Sequence, residues 1–146
     1  MKKILLVPLA VMIIAALIFA GCAGGGGGGG GGEKVIDYSE AADHMGQTVT
    51  VCGPCVIVAV DAMAPLDPKP LIGVLGKLGG AEDFGSTNFM PGNMSFRLYE
   101  EMHGQLTDGG QEFVGKNICI SGLTIEETPV GTIGGAVHDI SQITVK

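Results

Sequence analysis

The 146-residue chain carries 15 Asp and Glu against 8 Lys and Arg, a formal net charge of −7, with 26 glycines and no Trp. Lys2 and Lys3 stand at the N-terminus, so residues 33–146 hold all 15 acidic groups against 6 cations, a net charge of −9. That balance argues against a surface built to hold nucleic acid or anionic lipid headgroups, which calls for a basic patch. The absence of Trp leaves few rings on which bases could stack.

Met1-Lys2-Lys3 followed by an apolar run from Ile4 to Ala20 reads as an export signal. Ala20-Gly21 directly before Cys22 resembles a prokaryotic lipobox, with Phe19 where Leu is usual. That resemblance implies that residues 1–21 are removed and that Cys22 takes a lipid. The expected location is the cell membrane or outer membrane, anchored by lipid on the extracytoplasmic side. An uncleaved membrane anchor is the plainer alternative, although the apolar run is short for a span of about 20 residues. Gly24 to Gly32 is an unbroken run of nine glycines. Backbone of such freedom holds no fold, so residues 22–32 read as a flexible tether. Residues 33–146 form one domain by size.

Within that domain Asp37 to Gly46 reads as a short helix, capped by Asp37 or Ser39 and stopped at Gly46. Period-two alternation then begins at Thr48 and predicts a strand that bends at Gly53-Pro54 and continues to Val60. Asp61 to Pro70 is a Pro-rich loop, and Leu71 to Leu75 a second strand. Residues 79–93 are turn-rich. Met94 to Tyr99 is a third strand with Met94, Phe96 and Leu98 on one face. A helix is expected somewhere in Glu100 to Glu112, broken at Asp108-Gly109-Gly110. Asn117 to Ile125 is the fourth strand, Gly131 to Gly135 a turn, and Ala136 to Val145 the fifth strand. The segment Gly46 to Gly53 echoes Gly115 to Gly122, both with a glycine, two polar residues, an alternating β-branched run and a closing glycine. Bent strands of this kind suit a small closed barrel.

Four segments carry a family resemblance. Tyr38 with Glu40-Ala41 and His44 through Gly53, Leu71 through Lys77, Phe113 through Gly122, and Asp139 through Ile143 together resemble OB-fold domains, in particular small exported ones such as those appended to secreted nucleases. The resemblance implies a mainly all-β, five-stranded Greek-key barrel with a short N-terminal helix. It also implies a ligand groove over the second and third strands, where Lys77, Phe96, Arg97 and Tyr99 are the candidate contacts. Phe89 lies in the same region, with Glu82, Asp83, Glu100 and Glu101 set against it. The implied role is a non-catalytic binding or adaptor module, not an enzyme, with no cofactor. Its partner is a protein, an oligosaccharide or a nucleic acid, the last favoured by the family and opposed by the charge.

Cys52-Gly53-Pro54-Cys55 has the spacing of a thioredoxin redox centre. A redox thiol of that type sits at a helix N-terminus inside a βαβ pattern. Here the β-branched residues Val56, Ile57, Val58 and Val60 follow instead. In an OB barrel the first and fourth strands are neighbours, which implies that Cys52 and Cys119 can pair. Such a bridge would be worth about 4 kcal/mol of loop-closure entropy. The rival pairing is Cys52–Cys55, which would support a thiol-disulfide oxidoreductase, and reduced, buried thiols remain open beside both. Met90, Met94, Met102 and His103 offer soft ligands of the type that binds Cu(I), as in periplasmic copper chaperones with a small OB-type barrel. The same methionines are equally good core fillers. Dispersed His44, His103 and His138 match no catalytic or metal-ligand spacing.

Overall fold

The computed structural model describes residues 32–79 and 87–146. The expected export segment at residues 1–21, Cys22, Gly24 to Gly31, Glu82 and Asp83 lie outside them. Among the described residues no helix is long and apolar enough to cross a membrane. Residues 32–146 cluster as one unit.

The domain is mainly β. In chain order the strands are β1 Val35–Asp37, β2 Thr48–Val60, β3 Leu71–Leu75, β4 Met94–Leu98, β5 Asn117–Thr124, β6 Glu126–Glu127, β7 Ile133–Val137 and β8 Ile143–Val145. They follow the order β6-β7-β4-β3-β2-β5-β8, with β1 beside β2. The expectation of five strands in a closed barrel is corrected: the described residues hold eight strands in an open hydrogen-bonded path. The expected helix is a 3₁₀ turn, Tyr38–His44, with Asp37 as its cap. The Asp37 carboxylate accepts the Ser39 N–H at 3.0 Å, and Glu40 accepts the Asp37 N–H at 3.2 Å, a reciprocal box that fixes the start. Gly46, at φ +76°, ends the turn in the left-handed region.

β2 is the spine of the sheet. Its first half pairs antiparallel with β5 and its second half with β3. The buried positions run 49, 51, 53, 55 and resume at 58, so the alternation skips one residue. The skip coincides with a register shift between Cys55 and Ile57, the bulge that bends the strand. Gly53 is required there by close approach, since a Cβ on it would lie 2.5 Å from Cδ1 of Tyr38. No helix follows Cys52, because the chain stays in the ladder from Thr48 to Val60.

The fifth predicted strand is two strands. Between β7 and β8, the Asp139 carboxylate accepts the Ser141 N–H at 2.8 Å, and Gln142 Oε1 accepts the N–H groups of His138 and Asp139 at 2.7 and 2.9 Å. These local bonds compete with the ladder and fold Ile140–Gln142 into a 3₁₀ turn. The predicted turn at Gly131 to Gly135 is likewise half strand. Gly134 and Gly135 lie in β7, where a Cβ would meet Ser95 Oγ and the Thr124 carbonyl oxygen at 2.6 Å each. Absent side chains let β7 lie flat against its neighbours.

The helix expected in residues 100–112 is present as one α-helical turn, α1 Glu100–His103, followed by a 3₁₀ turn at Gln111–Phe113. Gly109 and Gly110, both at positive φ, separate them. A single core fills the curl of the sheet. Val51, Phe96, Leu98, Ile118, Ile120 and Leu123 are almost wholly buried in it. Each such side chain is worth about 1.5–3 kcal/mol of apolar transfer.

Candidate binding cleft

Register decides which side chains reach the outer face of β3, β4 and β7. Gly73, Phe96 and Gly135 share one row, and Ile72, Arg97 and Ala136 the next. Adjacent rows point to opposite faces of a pleated sheet. Phe96 therefore enters the core, while Ile72, Arg97 and Ala136 form the floor of an outer cleft of about 570 Å³. One wall is the loop from Asp61 to Leu66 that leaves β2, and the other runs from Glu126 to Thr132. Asn88 and Phe89 close a third side.

Most of this lining is apolar, and its rim is exposed. Met63 is 81% exposed, Phe89 58%, Leu66 48% and Val130 44%. Large apolar side chains gathered in this way at the mouth of one concavity mark a binding surface more often than an ordinary stretch of surface.

The polar groups are few and specific. Asp61, nearly buried, accepts an Arg97 N–H at 3.2 Å through Oδ2. Its Oδ1 accepts the N–H groups of Met63 and Ala64 at 3.1 and 3.2 Å. One carboxylate thus folds the wall loop and neutralises the floor cation. Asp61→Ala should cost about 1–3 kcal/mol. It should also speed hydrogen exchange at the Met63 and Ala64 amides more than Asp61→Asn, which keeps the Oδ1 acceptor. The opposite wall holds itself: Thr128 and Thr132 hydroxyls lie 2.7 Å apart, and the Gly131 N–H donates to the Thr128 carbonyl at 2.8 Å. Among the described residues, two buried atoms of lining residues have no hydrogen-bond partner, Asn88 Oδ1 and Arg97 Nε, and both are closed to solvent.

Of the four groove candidates, Arg97 is on the cleft floor with its side chain in the cavity. Phe96 borders the cleft, but it is 1% exposed with its ring in the core, so it offers a ligand almost no surface. Tyr99 packs against the core and does not line the cleft. Lys77 is exposed beyond the other end of β3, where its N–H donates to Asn93 Oδ1 at 2.9 Å. The residues that sequence reasoning missed are those of the two walls. Their signal was present in Ala62-Met63-Ala64-Pro65-Leu66, an apolar stretch in a loop that a purely solvated turn has no reason to carry.

Cys52 and Cys119 sit directly opposite in the β2–β5 register and form a disulfide, with Cα atoms 4.1 Å apart. The rival Cys52–Cys55 bridge is not formed. Cys55 is a free, buried thiol whose burial pushes its pKa up to about 12, only partly offset by a backbone hydrogen bond at Ile57. Such a thiol is not a nucleophile, which removes the structural basis of the redox reading. Met94 and Met102 are core residues, 1% and 2% exposed. Met90 is half-buried beside a small recess of about 170 Å³. His103 Nε2 lies 3.4 Å from the Leu98 carbonyl. The buried pair therefore serves packing, and the Met/His group does not present itself as an open ligand set. Among the described residues no group of three His, Cys, Asp or Glu side chains is placed to hold a metal ion.

No protein-family model matches the chain, and no curated protein matches it. Among solved structures, a crystal structure of a putative aspartyl-tRNA synthetase from Leishmania major Friedlin is similar at 10% identity and a TM-score of 0.42. The similarity covers 93% of this chain and 25% of that one, so this chain spans about a quarter of its length. A likeness that loose assigns nothing.

Proposed function

We propose that this chain is a lipid-anchored, extracytoplasmic protein whose β domain is a non-catalytic binding module of the OB type. The observation that carries the binding role is the apolar cleft over Ile72, Arg97 and Ala136, with an exposed apolar rim and one compensated cation. The strand arrangement supports the OB reading. β2 lies between β3 and β5, β4 runs parallel to β7, and β6, one residue past β5, pairs with β7. An OB barrel likewise has its first strand between the second and fourth and its third beside the fifth. Nucleic acid fits this cleft poorly, since Asp61 already engages Arg97 and Glu126 stands in the wall.

The cleft is tested with the full chain in phosphatidylcholine nanodiscs, its methionine methyls carbon-13 labelled. Toluene should shift the Met63 methyl saturably and leave that of Met45 in place. Ala136→Phe, which fills the floor, should abolish the shift; an unresponsive Met63 in the parent chain would count against the binding role. The anchor is tested separately. Bacterial cells fed labelled palmitate should mark the full chain, and Cys22→Ala should remove the label; a label that survives this change excludes Cys22 as the anchor.

A further inference from the structure

We infer that the cleft takes a small apolar molecule that carries one positive charge, an ammonium group on a hydrocarbon or aromatic body. This inference rests on the reading of the cleft as a binding site and adds the chemical class of its ligand. Strand register puts a carboxylate there. Glu126 pairs with Gly134 across β6 and β7, and Gly134 pairs with Ser95 across β7 and β4. Ser95 stands two residues from Arg97, and Gly134 two from Ala136. Positions two apart on a strand share a face, so this row lies on the same outer face as the cleft floor. Glu126 and Ser95 both line the cavity accordingly.

The charges of the lining do not cancel. Asp61 Oδ2 and Arg97 form an ion pair at 3.2 Å, and Asp61 Oδ1 holds the wall loop through the Met63 and Ala64 amides. Glu126 is exposed, and among the described residues it has no ion-pair partner. Two carboxylates thus stand against one guanidinium among the described lining residues. The negative charge left over sits on Glu126. The whole domain adds a field of the same sign, since residues 33–146 hold 15 acidic groups against 6 cations. Such a field gathers cations and turns anions away.

Other classes fit less well. A carboxylate or phosphate would face Glu126 and would have to compete with Asp61 for Arg97. A neutral apolar molecule crowds water away from Glu126 and gives its carboxylate nothing in return. An ammonium group replaces that water with a charge-assisted hydrogen bond. Its apolar body then lies over Ile72 and Ala136, against Met63, Leu66 and Phe89. The volume of about 570 Å³ is in the ordinary range for a small ligand.

The test uses the same labelled full chain in phosphatidylcholine nanodiscs with three probes of one body: phenethylammonium, phenethyl alcohol and hydrocinnamate. The ammonium should shift the Met63 methyl saturably with the Met45 methyl unmoved. It should bind about fivefold more tightly than the alcohol, the upper end for an ion pair open to solvent. The carboxylate should bind more weakly than the alcohol. Glu126→Gln should bring the ammonium down to the affinity of the alcohol, whose own binding stays unchanged and so reports an intact cleft. Glu127→Gln removes the same charge from the next residue, which is outside the lining, and should leave the preference in place. An ammonium that binds no better than the alcohol would overturn the inference. So would a preference that survives Glu126→Gln, or one that Glu127→Gln removes equally. If toluene still moves Met63 in those cases, the cleft stands as an apolar site of another class. Silence with toluene and all three probes would overturn the inference and the binding role together.

Discussion

Phe96→Ala should lower the unfolding free energy by about 3–5 kcal/mol. The residue is 1% exposed, and its ring lies over Gly73, where a Cβ would come within 2.1 Å of Cζ. That glycine has given up its side chain to seat the ring, so nothing on the facing strand can fill the space when the ring is removed. Val51, Ile118 and Ile120 come from paired strands whose backbones are held by the ladder, which limits collapse further. The loss is therefore expected near the large end of core truncations. Urea titration checks it, with a lower midpoint at an unchanged slope. Met63→Ala is the contrast. At 81% exposure it should change stability by no more than about 0.5 kcal/mol while removing part of the cleft wall. If the two substitutions exchanged these effects, the pleat would be reversed and Phe96 would face the ligand after all.

That reversal is the point at which reading the sequence stopped short. Alternation placed Met94, Phe96 and Leu98 on one face of β4, and they do share it. What alternation cannot supply is which face looks inward. The same segment offers Arg97 and Ser95 to the other side, and a groove residue and a core residue look alike until the rest of the sheet is in place. The strongest local patterns were legible: β2, though its bulge lies at Cys55–Ile57 rather than at Gly53-Pro54, β3, β4 and the capped turn at Asp37; the adjacency of β2 and β5 was implied by the OB-fold resemblance. β1 and β6 were not, because two or three residues carry no measurable period, and β8 was read only as the end of one longer strand that began in β7. β7 was read partly as a turn because Gly134 and Gly135 usually mean one. Here they mean close packing on Ser95 and Thr124, residues far away in sequence. The cleft was the least legible part. Its walls come from two loops more than sixty residues apart, joined only through the β3-β4-β7 register. The charge argument does carry over to the cleft, since its single cation is already neutralised there.

Removing the Cys52–Cys119 bridge, by a double change to Ala, should cost about 4 kcal/mol for a link that closes a separation of 67 residues. The cost falls mainly on the unfolded chain, which gains freedom, while the folded ladder keeps Cys52 opposite Cys119. Denaturant midpoints with and without the bridge measure it. The remaining described thiol gives a second readout of the same arrangement. Cys55 is protonated in the folded state up to a pH of about 12, because burial disfavours its thiolate, whereas in the unfolded chain it ionises near 9. Below pH 9 both states hold the proton and stability owes nothing to the difference in titration. Above it the unfolded state releases a proton that the folded state keeps, so stability should fall as pH rises from 9 toward 12. Cys55→Ala should flatten that part of the slope. In native protein at neutral pH, Cys55 should ignore a thiol reagent that titrates it at once in denaturant. Rapid native labelling, with loss of the bridge under mild reductant, would return the Cys-Gly-Pro-Cys segment to redox chemistry. Slow labelling that tracks global unfolding would fix it as a bent strand, in which one cysteine staples β2 to β5 and the other fills the core.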